Sequence, residues 1–339
     1  MDTPAVDDQP PARAGFLPRW LGPTLRIGVT IGLMAYVVSD AWPKDADRQA
    51  EFRRTIAEAD WRWWIAGLAL NIVVQALAGI RWAALARPLG FEFPRRYFVW
   101  RFFEGSFFSL CLPSSIGGDA VKAYRIGDTT QRRLLAGCSV LADRLTGLAA
   151  LGVLVGAARA AHHYALSLPA ALAVALGLLL AVLAGFWISV GSLDRVMSLI
   201  PAAHPAREFI AKLLPYQQQP TLIAQALGWS FVVQIAGTVA VALAARTLHV
   251  DPGLNAWFAV VPLVALIETV PISIGGFGVR EKAMQFLLPQ HGVSVDKAVA
   301  VALLVGLMKI ASGLIGGVLF MLDRHAAQPN VTTTAISRG

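Results

Sequence analysis

The sequence is poor in charge, in cysteine and in the short motifs that mark soluble enzymes. Charged residues make up 15% of its 339 residues, against about 25% in an ordinary soluble domain. Two cysteines occur, Cys111 and Cys138, both in apolar stretches and without CxxC spacing, which argues against a disulfide framework and a zinc site. The six histidines (His162, His163, His204, His249, His291 and His325) fall in expected loops or the C-terminal tail. No HExxH or comparable ligand spacing exists, so no metal is expected. No GxxxxGK[ST] occurs, so the chain carries no P-loop of its own, and no cofactor is expected. The opening MDTPAVDDQPPARAGF lacks the basic n-region of a secretory signal.

Apolar residues are abundant, at 56% of the chain, and they cluster into runs. Residues 61–85, 134–158, 168–190, 221–245 and 299–322 are each long enough to cross a ~30 Å hydrocarbon core at ~1.5 Å per residue. The shorter run 27–38 spans if it recruits 21–26, so 21–39 reads as a retained first helix. The expected organisation is a polar N-terminus (1–20), one integral membrane domain (21–323) and a polar tail (324–339), with no loop long enough to fold alone.

The net charge of +8 fits the positive-inside rule better than nucleic-acid binding, because no basic, aromatic-interleaved stretch lies outside the spans. Arg81, Arg87, Arg95, Arg96 and Arg101 crowd one end of the second span, whereas the loop 40–60 carries four basic and six acidic residues. This places 40–60 outside and both termini in the cytoplasm, in a bacterial-type cytoplasmic membrane.

Two apolar stretches are broken. Residues 97–112 run into Pro113-Ser114-Ser115-Ile116-Gly117-Gly118-Asp119, and 254–270 run into Pro271-Ile272-Ser273-Ile274-Gly275-Gly276-Phe277-Gly278. Proline and paired glycines end helices, so each stretch reads as a half-helix, a break and a second half-helix. The breaks are copies at an offset of 158: Pro113-x-Ser115-Ile116-Gly117-Gly118-x-x-Val121-Lys122 matches Pro271-x-Ser273-Ile274-Gly275-Gly276-x-x-Val279-Arg280. Upstream, Val73-Val74-Gln75 matches Val232-Val233-Gln234, and Arg87-x-Leu89 matches Arg246-x-Leu248, both at 159. Three spans separate the start of one copy from the next, so the second copy is expected upside down. The predicted fold is an all-α polytopic membrane protein of about six full spans plus two re-entrant broken-helix hairpins, in an inverted repeat (about 61–158 and 221–322). Secondary transporters are built this way, with the site near the midplane.

Several charges fall where lipid is expected, at a cost of at least ~2.5–3.5 kcal/mol each on insertion scales. Asp143 and Arg144 lie well inside one closing span and Lys309 inside the other; Glu104, Glu268, Arg280, Glu281 and Lys282 sit in or beside the breaks. Internal pairing as helix–helix glue is the plain reading. A cationic excess and the helix N-termini beyond the glycines point instead to an anionic headgroup. The expected headgroup site is Gly117, Gly118, Asp119, Lys122, Arg144, Gly275, Gly276, Arg280 and Lys309, with Asp143, Glu268 and Glu281 as candidates for proton coupling. No nucleophile–base pair is visible, and no enzymatic activity is expected.

The segments Pro113–Lys122 and Pro271–Lys282, with the run Asp143-Arg144-Leu145-Thr146-Gly147, resemble the flippase-like membrane domain of lysylphosphatidylglycerol synthases over roughly residues 20–323. The resemblance implies translocation of an amphiphile between leaflets: a phospholipid, an aminoacylated lipid or a polyprenyl-phosphate-linked glycolipid. The full synthases carry an aminoacyl-transferase domain after the membrane region; none follows here, so synthase activity is not expected. The expected partners are membrane lipids and enzymes of glycolipid or lipid synthesis. The alternatives are a non-catalytic membrane subunit of an envelope-lipid or glycolipid pathway and, less favoured by the residues, a lipid-modifying enzyme.

Overall fold

In a computed structural model of the chain, every regular element among the described residues is helical. Those residues are 45–112, 117–164, 166–191, 219–270 and 272–323, with scattered positions in 28–40 and at 198 and 216. The helices are α1 (Ala46–Ala57), α2 (Trp61–Ala86), α3 (Arg95–Cys111), α4 (Gly117–Ile126), α5 (Thr130–His163), α6 (Leu168–Gly191), α7 (Pro220–Arg246), α8 (Leu254–Glu268), α9 (Val279–Leu287) and α10 (Val295–Asp323). Four stretches are long and apolar enough to cross a membrane: Trp61–Leu89, Thr130–Ala161, Thr221–Arg246 and Val295–Asp323. The chain is an integral membrane protein. The expected span at 168–190 falls within α6, whose Pro169–Ala181 stretch is apolar. Much of the expected first span lies outside the described residues, and the described positions within 28–40 are helical. Residues 113–116 and 271 of the two breaks also lie outside them. His162 and His163 belong to the last turn of α5 rather than to a loop, because Ala157, Ala158, Ala160 and Ala161 are strong helix formers that carry the helix on past the apolar run.

Helix starts follow their caps. Asp60 caps α2 by accepting from the Arg62 N–H at 3.2 Å, and the Arg62 guanidinium beside it holds the Asp60 carboxyl below its usual range. Thr129 caps α5 by accepting from the Arg132 N–H at 3.3 Å.

Three packing relationships position the site. First, α2 and α7 run antiparallel along their whole length. The Asp60 N–H donates to the Thr247 carbonyl at 3.0 Å at one end, Gly67 packs on Ala240 and Ala244, and Arg81 Nη1 donates to Ser230 Oγ at 2.8 Å towards the other. Second, α3 and α4 form an antiparallel hairpin, with Tyr97 donating to the Arg125 carbonyl at 3.1 Å and Gly105 against Gly118. The pair α8 and α9 folds back in the same way, bringing Arg280 to Glu268. Third, each closing helix packs on the second half-helix of its own hairpin and, exchanged, on the first half-helix of the other: α10 on α9 and α3, and α5 on α4 and α8.

Apolar burial between helices gains little when lipid tails are equally apolar, so small residues and hydrogen bonds do the joining. A Cβ on Gly316 would overlap the Phe103 carbonyl, which sets how closely α10 approaches α3. Trp82 Nε1 donates to Ser139 at 3.0 Å, Asn71 to Ser312 at 3.1 Å and Trp64 to the Leu304 carbonyl at 3.1 Å. Each such bond contributes on the order of 0.6 kcal/mol in a bilayer.

Candidate functional site

A cavity of about 440 Å³ opens among α2, the two hairpins, α5, α7 and α10. Its charged wall consists of Arg81, Lys122, Arg144 and Lys309 with Asp119, Asp143 and Glu268. That is four cations against three carboxylates among the described residues. Gly275 and Gly276 also line it.

Two of the acids make parallel arrangements, although Asp119 and Glu268 do not stand at matched positions of the sequence repeat. Asp119, on α4, accepts Lys122 from its own helix at 3.2 Å and Arg144 from α5. Glu268, at the end of α8, accepts Lys309 from α10 at 2.7 Å and faces Arg280 of α9 at 3.6 Å. In each half, one acid therefore bridges a cation on the second half-helix of its hairpin and a cation on a closing helix. Lys122 and Arg280 are the repeat-matched pair. The third acid, Asp143, is bound to Arg81 at 2.7 Å, and this pair is deeply buried. Arg144 and Lys309 keep side-chain exposures of 41% and 37%, so the two closing-helix cations are the ones most open to a ligand.

The remaining expected site residues lie elsewhere. Arg280 is 1% exposed and lines a smaller neighbouring cavity of about 140 Å³, which shares Asn71, Gln234, Glu268 and Lys309 with the larger one. Glu281 is fully buried; it accepts Arg280 Nε at 3.1 Å and the Gly278 N–H at 2.5 Å, so it caps α9 itself. The N-terminus of α9 is thus filled by its own side chain. Gly117 and Gly118 are not on the cavity wall. They form the first turn of α4 instead of preceding it, and Gly118 packs against the Gly105 carbonyl and Ser109 Oγ with no room for a Cβ. The matched glycines behave differently: Gly275, Gly276 and Gly278 all take positive φ (59°, 78° and 82°), making a turn that only glycine adopts without strain. A Cβ on Gly276 would come within 2.7 Å of Glu268 Oε1, so this glycine leaves room for the carboxylate that holds Lys309.

Neutral polar groups complete the wall, and the expected site missed them: Asn71, Gln75, Gln234, Ser106, Ser109 and Ser312. Gln75 and Gln234 were signalled by the matched Val-Val-Gln triplets. Arg81 stood among the flanking basic residues and gave no sign that it turned inward to Asp143. A second ionic cluster lies away from the cavity, where Glu104 accepts Arg101 at 2.6 Å and Arg125 at 3.2 Å, and Asp323 of α10 joins both arginines. It fastens the first hairpin to the exchanged closing helix. Among the described residues, no group of three or more His, Cys, Asp or Glu side chains is placed to hold a metal.

Comparison with known proteins adds the family. No curated protein and no solved structure matches the chain. Residues 24–317 of the 339 match the family described as the lysylphosphatidylglycerol synthase TM region, a family of membrane-lipid proteins. An α-helical membrane domain with a charged cavity between two helix-break-helix hairpins, matched over nearly its whole length, belongs to the lysylphosphatidylglycerol synthase transmembrane-region family.

Proposed function

We propose that this protein moves an anionic amphiphile between the leaflets of a bacterial-type cytoplasmic membrane, with the headgroup passing through the cavity while the acyl chains stay in the bilayer. The observation that carries this reading is the cationic excess on the cavity wall, with Arg144 and Lys309 half-exposed on the two closing helices. Internal glue alone needs no such excess. A phosphate entering the cavity replaces Asp119 or Glu268 as the partner of a cation, so that the cation is never left bare at membrane depth.

On this reading the helices are two inverted copies, each with one re-entrant hairpin, within six full spans and with both termini in the cytoplasm. The antiparallel run of α2 and α7 and the exchanged closing helices support it. The protein carries no catalytic step; Asp143, Glu268 and Glu281 are the groups through which a proton gradient would act, and lipid-synthesis enzymes would supply its cargo.

The test is leaflet exchange in reconstituted vesicles. Acyl-labelled phosphatidylglycerol should equilibrate across the bilayer faster than in protein-free vesicles and faster than phosphatidylcholine, and Arg144→Gln should slow it. Equal rates with and without protein would overturn the proposal.

A further inference from the structure

The cavity wall says more about the headgroup than its charge. The wall offers hydrogen-bond acceptors. Ser106 Oγ and Ser109 Oγ each spend their proton on a backbone carbonyl of their own helix, at 3.0 Å, and Ser312 Oγ donates to the Lys309 carbonyl at 3.1 Å. A hydroxyl that has donated keeps lone pairs, so Ser106 and Ser109 still offer an acceptor face to the cavity, whereas Ser312, 1% exposed, already accepts from Asn71 at 3.1 Å. Gln75 lines the cavity, and its buried Oε1 has no hydrogen-bond partner. An unpaired buried acceptor is costly until a donor reaches it. Its repeat mate, Gln234, lines the same cavity from α7.

The wall is also unsuited to a cationic headgroup. Each carboxylate on it is engaged: Asp119 with Lys122 and Arg144, Asp143 with Arg81, Glu268 with Lys309. An ammonium would enter a field already positive by one charge. Phe102 is the one aromatic ring on the wall among the described residues, and the Lys122 ammonium already covers it at 4.0 Å. A quaternary ammonium therefore finds no aromatic face of its own.

A ligand that fits must carry one negative charge, donate hydrogen bonds and bear no cation. We propose that the cargo is a phosphodiester whose headgroup carries hydroxyls, a glycerol or a sugar, and that Gln75 and Gln234 read those hydroxyls. This rests on the translocation reading above and narrows it, since it sets aminoacylated and zwitterionic lipids apart from the cargo.

The experiment compares lipids of matched chains in the reconstituted exchange assay. Phosphatidylglycerol and phosphatidylmethanol carry the same charge and differ in the headgroup hydroxyls; phosphatidylethanolamine donates but adds a cation. Wild-type protein should move phosphatidylglycerol about tenfold faster than either, roughly the factor one hydrogen bond supplies. In Gln75→Met and Gln234→Met the ratio of phosphatidylglycerol to phosphatidylmethanol rates should fall towards one. Unlabelled polyprenyl-phosphate hexose, added as competitor, should slow phosphatidylglycerol if sugars share the site; no slowing restricts the cargo to the glycerol headgroup. Equal rates for the two anionic lipids in the wild type, or an unchanged ratio in both variants, would overturn the hydroxyl assignment and leave anionic translocation standing. No exchange of any lipid above the protein-free rate would overturn translocation itself, and this inference with it.

Discussion

The Lys309 ammonium donates to both oxygens of Glu268, at 2.8 and 2.7 Å, joining the closing helix α10 to the end of the first half-helix of the second hairpin inside the cavity. Removing either partner has opposite consequences for an anionic ligand. Lys309→Gln deletes a half-exposed cation and should slow exchange of phosphatidylglycerol at least about tenfold, as expected for the loss of a charge-assisted hydrogen bond. Glu268→Gln leaves Lys309 without its carboxylate and should raise the amount of anionic lipid that co-purifies with the protein. Quantitative lipid mass spectrometry of the two variants checks the pair; the same change in both would argue that the ion pair is structural only.

The Arg81–Asp143 pair is a different case, because both side chains are under 10% exposed and Arg81 also reaches Ser230. Arg81→Met leaves Asp143 uncompensated, at a cost of about 3–5 kcal/mol. The double variant Arg81→Met with Asp143→Leu removes both charges and should recover most of that loss. Thermal unfolding in detergent should rank the double variant above Arg81→Met alone.

Glycines separate by what faces them. Gly316→Ala puts a methyl into the Phe103 carbonyl across the α10–α3 contact, and should lower the unfolding temperature by several degrees. Gly152→Ala, on α5, meets nothing within 4 Å and should be neutral or raise stability by up to about 1 kcal/mol through helix propensity. Thermal unfolding of the two variants side by side distinguishes close packing from incidental glycine.

The sequence match between the two halves extends to a backbone demand. Arg87-x-Leu89-Gly90 and Arg246-x-Leu248-His249 end α2 and α7 with the same left-handed residue, at φ 86° for Gly90 and 56° for His249. The charges within the apolar runs were legible too, since such runs make Asp143, Arg144 and Lys309 conspicuous. Pairing was not legible. Asp119 and Arg144 are 25 residues apart and Glu268 and Lys309 are 41 apart, and only the folding of each hairpin against a closing helix joins them. The matched glycine pairs also misled, because Gly117-Gly118 and Gly275-Gly276 share a motif but not a conformation. The first pair begins a helix against Gly105, and the second forms a positive-φ turn over Glu268.

The orientation of the two copies is open to a direct test at Glu92 and Asp251. They are exposed, they follow the ends of α2 and α7, and they are repeat mates at the offset of 159. Because α2 and α7 run antiparallel, with Asp60 at the start of α2 bonded to Thr247 at the end of α7, the end of α2 and the end of α7 lie at opposite ends of the bundle. If both helices cross the bilayer, Glu92 and Asp251 emerge on opposite sides, and Glu58 emerges beside Asp251. Single cysteines at these three positions, in a background without Cys111 and Cys138, should label accordingly. Position 92 should react only when the cytoplasmic side is open to a membrane-impermeant maleimide, and positions 58 and 251 should react from outside in intact cells. Losing the surface pair between Arg246 and Asp251 costs little, since both side chains are nearly half exposed and such pairs contribute about 0–1 kcal/mol. Labelling of 92 and 251 from the same side would require one of the two helices to turn back within the membrane, and the two halves would then not be inverted copies.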